Sequence, residues 1–327
     1  MCGIGAILGA KYEDIEELML PVAARGEPEG FSESVSLDDA VLACNRLKIV
    51  DRKNAKQPAR NEDSSIYAVL NGEVYNHDTL RDELQSKGHI FRTGSDTEVL
   101  VHGYEAWGSE LPKHLDGQFA FLVYDSDTGE YLAARDPYGI KPLFMAENEG
   151  KTYFASEVKQ LTSKADRIVQ VMPGHRAVRG CMDAHYSMDV EETEHDLHRI
   201  IEEVRARFDE SVKKRVQTDL PLAVFLSGGI DSTAVLATAL KYNDDVTAIC
   251  MGSDWDSEDS DYHAAKRYCE DNNIRMIHEE PPGEAELFAM VPEIVRVTES
   301  FEPNMIKQSG LSYHLARIAR DHGYKVA

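Results

Sequence analysis

The chain has 327 residues, of which 42% are hydrophobic and 28% are charged, an ordinary composition for a folded protein of about two domains. Its 58 acidic and 35 basic residues give a formal net charge of −23, which argues against binding to nucleic acids or anionic membranes through bulk charge. The five cysteines form no CxxC pair, and neither a signal peptide nor an apolar run of ~20 residues is present, so we expect a cytoplasmic protein without disulfides, zinc knuckles or membrane spans.

Short runs of β-forming residues dominate the first half of the chain, beginning with GIGAILG near the N-terminus. The others are AVLACNRLKIV, IYAVLNGEVYN, QFAFLVYD, YLAARD, PLFMA and TYFASE. Turn signals such as DSDTGE separate them, as hairpins require. Two segments have helical periodicity instead, HDTLRDELQSKG and SDTEVLVHGYEAWG, and the second begins at Asp96 like a capped helix. This pattern predicts an α+β domain with sheet packed on sheet and helices outside.

The pattern changes after the polar stretch that begins near residue 188. An amphipathic helix, LHRIIEEVRARFDESVKKRV, comes first, and the apolar runs PLAVFLS and VTAICM then alternate with the helical segments STAVLATALKYN and DYHAAKRYCEDN. Alternation of buried strands with helices predicts a parallel, doubly wound sheet. We therefore place the domain boundary at residue 190, which gives predicted domains of residues 1–190 and 191–327.

The segment VFLSGGIDSTAVL predicts an anion-binding loop between a strand and a helix. Gly228 and Gly229 allow close backbone approach, and the amide groups at a helix start point towards an anion. The alternative is a generic glycine turn with a Ser or Asp cap. The segment resembles the SGGxDS pyrophosphate loop of the ATP-pyrophosphatase (N-type) family, whose members adenylate a carboxyl or carbonyl oxygen. That resemblance implies ATP-binding by Leu226, Ser227, Gly228, Gly229, Asp231, Ser232, Met251 and Gly252, with Asp231 beside Mg²⁺ and Asp261 as a second acidic position.

Cys2 directly follows the initiator methionine. Removal of Met1 would place a thiol and an α-amine, whose ordinary pKa is ~7.7–8.0, on one residue as nucleophile and base. Asn71 and the backbone N–H of Gly72 have the character of an oxyanion hole. Arg46 suits a carboxylate and Asp96 an ammonium group, so these side chains together describe glutamine. Each has a plain alternative, since Arg46 and Asp96 are also suited to surface ion pairs.

The motifs CGIGAI, NRLKIVD, NGEVYNH, GSDTEVL, LDGQFAFLVYD, ARDPYGIKPLF and FASEVKQL occur in one order. In that order they resemble the class II glutamine amidotransferase domain and, with LSGGIDS after them, the glutamine-dependent asparagine synthetase family. The resemblance implies a four-layer αββα N-terminal nucleophile hydrolase sandwich followed by an α/β PP-loop domain. It implies Cys2 as nucleophile, Asn71 and Gly72 as oxyanion hole, and a glutamine site of Arg46, Ile49, Glu73 and Asp96.

The implied reaction hydrolyses glutamine and uses ATP to amidate aspartate, so glutamine, aspartate, ATP and Mg²⁺ are the expected ligands. Two alternatives stay open: another amide-forming synthetase of this architecture, and a glutaminase or nucleotide-binding fragment without synthetase turnover. A homodimer and a separate C-terminal fragment from a split gene are further open possibilities. The twelve histidines show no metal-ligand spacing, and we expect structural roles for His77 and His175.

Two segments depart from the family pattern. AARGEPEG stands where the family carries HRGPD, with Ala24 for the histidine and Glu27-Pro28 for the Pro-Asp step. The final residues YKVA have the character of a buried strand at its start. We therefore expect an incomplete synthetase domain, from a truncated reading frame or a split gene.

Overall fold

The computed structural model describes residues 1–10, 15–26, 33–188, 190, 196–253, 257–258 and 260–327. The chain divides into two compact units, Met1–Val190 and Glu191–Ala327. No helix within the described ranges is both long enough and apolar enough to cross a membrane.

Two antiparallel sheets form the centre of the first unit. Its strands are β1 (Gly3–Leu8), β2 (Glu33–Ser36), β3 (Ala40–Asn45), β4 (Ala59–Arg60), β5 (Ile66–Val74), β6 (Gly117–Asp125), β7 (Tyr131–Arg135), β8 (Phe144–Asn148), β9 (Lys151–Ala155), β10 (Ile168–Gln170), β11 (His175–Val178) and β12 (Cys181–Ala184). One sheet has the order β10-β8-β9-β1-β3-β2 and the other β12-β11-β7-β6-β5-β4. Each run of β-forming residues therefore contributes to one of two six-stranded sheets.

Helices cover the outer faces of these sheets. They are α1 (Glu16–Met19), α2 (His77–Ser86) and α3 (Glu98–Trp107), with 3₁₀ turns at Leu20–Arg25, Gly108–His114 and Val158–Gln160. Between the sheets, Ile4 of β1 and Val69 of β5 share one core. On the outer faces, Ile7 packs in a cluster with Leu18 of α1, and Leu70 packs in a cluster with residues of α2 and α3. The expected four-layer αββα sandwich is confirmed.

The strand predicted in AVLACNRLKIV ends earlier than its composition indicates, at Asn45. The Asn45 amide donates to the backbone carbonyl of Val22 at 3.0 Å. Arg46 then donates to the carbonyls of Val50, at 2.7 Å, and of Ala55. These side-chain hydrogen bonds replace the strand ladder, so the apolar residues after Arg46 form a loop.

A parallel sheet organises the second unit. Its elements are α4 (Leu197–Val216), β13 (Leu222–Phe225), α5 (Ile230–Ala239), β14 (Val246–Met251), α6 (Asp261–Asp271), β15 (Met276–Glu279), α7 (Glu284–Thr298) and α8 (Pro303–Asp321). The strands pair in parallel in the order β13-β14-β15. Helices pack on both faces of the sheet, with α4, α5 and α6 in one core cluster and α8 in the other, which confirms the predicted doubly wound type. At the end of the chain, Val326 makes one parallel bridge to Leu222, with the Ala223 N–H donating to the Val326 carbonyl at 3.0 Å. The YKVA segment therefore lies beside β13.

Candidate active site

Cys2 lies immediately before β1, at the edge of the core between the two sheets, and only 7% of its surface is exposed. Its Sγ accepts a hydrogen bond from the backbone N–H of Leu47, at 3.4 Å. The antiparallel register places Ile4 opposite Cys44 on β3, so Cys44 belongs to the same core as Cys2. The thiol is thus held in place by the neighbouring strand and the loop that follows it.

The surroundings of Cys2 favour its thiolate form. A hydrogen bond with the Cys44 side chain, together with the Leu47 N–H and the nearby amino terminus, holds the pKa of Cys2 at about 7 although burial opposes this. Burial raises the pKa of Cys44 well above its usual range, so Cys44 stays protonated beside its partner. Because the thiolate is the nucleophilic form of cysteine, Cys2 is the reactive member of the pair.

Asn71 lies on β5 with its whole side chain buried. Among the described residues, neither its Nδ2 nor its Oδ1 has a hydrogen-bond partner. Side chains alternate along a strand, so Asn71 faces the same way as Tyr67 and Val69, which share the inter-sheet core with Cys2. A buried amide without partners costs stability, typically ~1–3 kcal/mol, and such groups call for an explanation in function.

Gly72 occupies a backbone conformation that only glycine adopts readily. Its φ is +149°, and a Cβ at this position would lie 2.0 Å from the carbonyl oxygen of Gln118 on β6. Glycine is therefore required here by the close approach of β5 and β6. The adjacent Glu73 is half-buried. Burial lowers the pKa of the Met1 amine, and the charge of Glu73 opposes that effect.

Arg46 is buried, with 7% of its surface exposed. Its guanidinium makes three hydrogen bonds to backbone carbonyls of the 50–55 loop, out of five N–H donors. As far as the described residues go, two donors are therefore available for a ligand carboxylate. Ile49, a predicted backbone contact, lies half-buried in this same loop.

Asp96 is also buried, and its Oδ2 accepts a hydrogen bond from the backbone N–H of Val74 at 3.2 Å. Burial raises the pKa of this carboxyl, while the Val74 N–H and the charge of His77 lower it. The prediction that Asp96 caps α3 is wrong: the residue before the helix is Thr97, and no capping side-chain hydrogen bond forms there within the described chain. The carboxylate is directed to the strand end that carries residues 71–73.

Lys141 is a charged residue near Cys2 that the sequence patterns did not indicate. It lies in the GIKPLF segment between β7 and β8 with 8% of its surface exposed. Burial lowers the pKa of its ammonium, against the opposing charges of Glu73, Asp136 and Cys2. Burial also lowers the pKa of the Met1 amine, and the charge of Lys141 lowers it further. Lysine is almost never buried unless it is paired, so the burial of Lys141 is a signal that the structure gives and the sequence motifs do not.

Arg25 is close to the described end of the segment that departs from the family pattern. Its Nε is paired with Oε1 of Glu157, and its Nη1 is buried without a hydrogen-bond partner among the described residues. Ala24, which stands in place of the family histidine, is exposed. Glu27 and Pro28 lie outside the described residues.

In the second unit, the loop between β13 and α5 is fixed by its own hydroxyl groups. Leu226 is buried, whereas Ser227, Gly229 and Asp231 are exposed. The Ser232 Oγ lies 2.9 Å from the Ser227 Oγ and accepts from the Ser227 N–H at 3.1 Å. Gly229 is the residue that precedes α5. The backbone amides at the start of α5 therefore open to solvent beside two hydroxyls and one carboxylate.

Two glycines bring neighbouring strand ends against the start of α6. Gly228 has φ +79°, and a Cβ on it would lie 2.2 Å from the carbonyl oxygen of Asp261. Gly252, which follows Met251 at the end of β14, has φ +155° and would clash with Tyr262 at 2.3 Å. Asp261 itself is exposed. The predicted nucleotide residues thus meet at the carboxyl edge of the parallel sheet, where such folds bind their ligands.

Comparison with known families divides the chain into two matches. The family described as "Glutamine amidotransferase domain" matches residues 1–217, and the family described as "Asparagine synthase" matches residues 203–327.

Individual curated proteins are similar to the chain as well. Asparagine synthetase (glutamine-hydrolyzing) 3 of Arabidopsis thaliana is 40% identical over 265 residues, which cover 77% of this chain and 44% of that protein. Asparagine synthetase (glutamine-hydrolyzing) 2 of Oryza sativa subsp. japonica is 32% identical over 351 aligned residues, which cover 100% of this chain and 57% of that protein. The chain spans about half the length of these relatives.

Proposed function

Because the chain belongs to the glutamine amidotransferase domain family, we propose that its first unit hydrolyses the side-chain amide of glutamine, with Cys2 as the nucleophile. We further propose that the second unit takes part in ATP-dependent conversion of aspartate to asparagine, as the names of its relatives indicate. The first role rests on the described geometry of Cys2, Asn71 and Asp96. The second rests on the family match and the β13–α5 loop.

The observation that carries the glutaminase proposal is the buried amide of Asn71, which has no partner among the described residues. Its Nδ2 is buried on the face of β5 that shares a core with Cys2. A donor held without a partner needs no reorganisation when negative charge develops next to it, which is the requirement for an oxyanion hole. Asn71 Nδ2 and the Gly72 N–H are the donors we assign to that role.

The chemical steps follow from these assignments. The Cys2 thiolate attacks the amide carbon of glutamine, and the carbonyl oxygen becomes an oxyanion held by Asn71 and Gly72. The C–N bond then breaks, the leaving nitrogen takes a proton from the terminal ammonium, and ammonia departs from a thioester. Water, deprotonated by the free amine, cleaves the thioester to give glutamate and restores the thiol.

The base in this scheme is the amine that Cys2 gains when Met1 is removed. Burial and the charge of Lys141 already lower the pKa of the amine at Met1. An amine with a lowered pKa is more often free at neutral pH, which suits a base.

The remaining residues of the site would hold the two ends of the amino acid. Arg46 would bind the α-carboxylate of glutamine, and Asp96 and Glu73 its α-ammonium. Ile49 would contribute backbone contacts from the loop that Arg46 organises.

In the second unit, ATP would lie against the β13–α5 loop. The aspartate β-carboxylate attacks the α-phosphorus, pyrophosphate leaves, and ammonia then displaces AMP to give asparagine. Mg²⁺ typically binds through phosphate oxygens and one or two carboxylates. The exposed carboxylate of Asp231 beside the Ser227 and Ser232 hydroxyls fits that pattern. Bound there, Mg²⁺ would neutralise the negative charge of the ATP phosphates.

Glutamate formation from glutamine tests the first proposal. The purified chain should lack Met1 by intact mass and should hydrolyse glutamine, and Cys2→Ala should abolish hydrolysis. Cys181→Ala is the matched control, because Cys181 is exposed on β12. Retained activity in Cys2→Ala, or full activity in a chain that keeps Met1, would contradict the assignment.

Nucleotide binding tests the second proposal separately. ATP with Mg²⁺ should raise the thermal unfolding midpoint of the chain, and Ser227→Ala with Asp231→Asn should reduce that shift. Aspartate-dependent formation of AMP measures the synthetase step itself. An ATP effect that is the same in wild type and in the double variant would place the nucleotide elsewhere.

A further inference from the structure

A second group of ionisable side chains lies on the first unit, outside the residues assigned to glutamine. It consists of Glu62, His89, His102 and Glu105. Glu62 lies between β4 and β5, His89 follows α2, and His102 and Glu105 are one turn apart on α3. The fold therefore gathers two imidazoles and two carboxylates from three separate segments. We refer to these four residues as the His-Glu cluster.

The donor atoms of the His-Glu cluster are spaced as metal ligands are. One donor atom from each residue lies within 4.8 Å of all the others. The Nδ1 of His102 is 3.1 Å from Oε2 of Glu105 and 3.6 Å from Oε2 of Glu62, and the Nδ1 of His89 is 3.2 Å from Oε2 of Glu105. Tetrahedral ligands bonded to zinc at ~2.1 Å lie ~3.4 Å from each other. The observed separations bracket that value.

Neighbouring groups already orient both carboxylates. The Ile90 N–H donates to Oε1 of Glu62 at 2.7 Å, and Nδ2 of Asn61 donates to Oε1 of Glu105 at 2.9 Å. Each carboxylate thus uses one oxygen for a structural hydrogen bond and directs the other into the cluster. Support of this kind, from groups that do not touch the metal, is characteristic of protein metal sites.

His102 is the buried member of the cluster, with none of its surface exposed. Its ring packs against Phe91, at 4.5 Å between centroids, and against His89, at 5.2 Å. Its Nε2 has no hydrogen-bond partner among the described residues, and the nearest carboxylate oxygen in an ion pair with it, Oε1 of Glu98, is 3.8 Å away. The Nδ1 atom, by contrast, faces the carboxylates of the cluster. A carboxylate behind the outer nitrogen of a histidine is a recurring feature of metal ligation.

We propose that Glu62, His89, His102 and Glu105 bind one Zn²⁺ ion. Two imidazoles and two carboxylates suit a borderline divalent transition metal, and their two negative charges balance its charge. Four protein ligands leave no open position, which makes the site structural.

A zinc ion at the His-Glu cluster would join three parts of the first unit: the β4–β5 connection, the segment after α2 and the helix α3. The first residue of α3 is Glu98, two positions after Asp96. The ion would therefore hold in place the helix that begins beside a proposed glutamine contact.

The same separations would also arise if protons on the two histidines, rather than a metal, neutralised the carboxylates. A protonated cluster binds no metal, whereas a zinc site does. Zinc bound to the cysteine thiols of the chain would also give a metal signal. The test therefore needs a metal readout that depends on the ligands of the His-Glu cluster and not on the cysteines.

The experiment titrates the chelator-treated full chain with Zn²⁺ against a chromophoric competitor, and with Co²⁺ while visible absorption is recorded. We expect one ion per chain, visible Co²⁺ bands without thiolate charge transfer, and a higher thermal unfolding midpoint with zinc. His89→Ala and Glu105→Gln, which change partly exposed side chains, should each weaken zinc binding by more than the ~10–100-fold that loss of a supporting group outside the ligand shell costs. His114→Ala changes an exposed histidine outside the cluster and should leave binding unchanged.

Circular dichroism of the metal-free variants establishes that they fold, so that lost binding reports lost ligands. Failure of the wild-type chain to bind zinc or cobalt would overturn the proposal in favour of a protonated cluster. Binding that is equal in wild type and His89→Ala, or Co²⁺ spectra with thiolate charge transfer, would assign the metal to other residues. None of these outcomes depends on glutamine hydrolysis.

Discussion

The Asp96 carboxylate accepts a hydrogen bond from the backbone N–H of Val74 at 3.2 Å. This contact joins the segment before α3 to the end of β5, the strand that carries Asn71, Gly72 and Glu73. One predicted glutamine contact is therefore positioned directly against the strand that holds another, Glu73, and the predicted oxyanion hole. The carboxylate is buried, so it lacks the solvation that an exposed aspartate has.

Asp96→Asn should separate substrate binding from stability. The amide oxygen keeps the Val74 contact, but the charge that would hold the glutamine ammonium is lost. We expect the KM for glutamine to rise by roughly 10–100-fold, as for a hydrogen bond to a charged group worth ~1.5–3 kcal/mol. Burial raises the pKa of Asp96, so its ionised form disfavours folding at neutral pH. The free energy of unfolding of Asp96→Asn should therefore equal or exceed that of the wild type. A markedly lower free energy of unfolding in urea would contradict this.

Asn71→Leu should slow catalysis strongly without weakening the fold. The amide has no partner among the described residues, so an apolar side chain of similar size removes a desolvation cost. We expect kcat for glutamine hydrolysis to fall by about 10²–10³, the effect of losing one oxyanion donor. Urea unfolding should show a free energy equal to or above that of the wild type.

Asn45→Leu is the matched control for this prediction. Asn45 is also a buried asparagine, but its Nδ2 donates to the carbonyls of Met19 and Val22 at 3.4 and 3.0 Å. Its replacement should lower the free energy of unfolding by ~1–3 kcal/mol, because two carbonyls lose their donor. If Asn71→Leu destabilised the chain as much as Asn45→Leu, the Asn71 amide would have a structural role.

The alkylation rate of Cys2 should follow its thiolate. With a pKa of about 7, half of the thiol is ionised near neutral pH, and the rate should fall tenfold for each pH unit below that. Cys44→Ala removes the hydrogen bond that lowers this pKa most, so the midpoint should move to higher pH. The measurement is iodoacetamide labelling across pH, quantified on the N-terminal peptide. Cys250→Ala, a buried cysteine of the second unit, is the control, and a midpoint that stays fixed in Cys44→Ala would contradict the prediction.

The sequence predicts the layers of both units well, because period-2 runs and alternating strands and helices are local signals. It fails where a side chain overrides the local pattern. The run AVLACNRLKIV reads as one strand, yet Arg46 turns the second half into a loop through carbonyl hydrogen bonds. Asp96 reads as a helix cap, yet its partner is Val74, far away along the chain.

The candidate site likewise has some features that the sequence predicts and others that only the structure shows. Cys2, Asn71 and Asp96 are visible as motif residues, but the lack of partners for Asn71 within the described chain emerges only from three-dimensional packing. The His-Glu cluster draws its residues from positions 62 to 105. Its signal in the local sequence is the His-x-x-Glu spacing of His102 and Glu105 on α3. Nothing in the sequence around Lys141 indicates its burial, since its neighbour Ile140 is exposed.

Lys141→Met should shift the pH dependence of glutamine hydrolysis. Burial lowers the pKa of the Met1 amine and the Lys141 ammonium lowers it further. We expect Lys141 to act in the same way on the Cys2 amine, so removal of its charge should raise the pKa of that amine and leave less free amine at a given pH. The acidic limb of kcat/KM should therefore move to higher pH, while the rate at high pH is preserved. Lys141→Arg keeps the charge and should keep the limb in place. If the acidic limb of kcat/KM shifted equally in Lys141→Met and Lys141→Arg, the side chain of Lys141 would act through its packing and not through its charge.

Gly228→Ala and Gly229→Ala should differ strongly although they are neighbours in one loop. At Gly228 the φ of +79° and the Asp261 carbonyl, 2.2 Å from a new Cβ, leave no room for a side chain. At Gly229 the φ is −73°, and the nearest atom to a new Cβ is the Ser227 Oγ at 3.4 Å. We expect Gly228→Ala to destabilise the β13–α5 region by ~2 kcal/mol or more, and Gly229→Ala by under ~1 kcal/mol. Hydrogen exchange of the amides in β13 and α5 measures the destabilisation in each variant. Equal protection in Gly228→Ala and Gly229→Ala would contradict the prediction and would show that α6 moves to make room for the added methyl group.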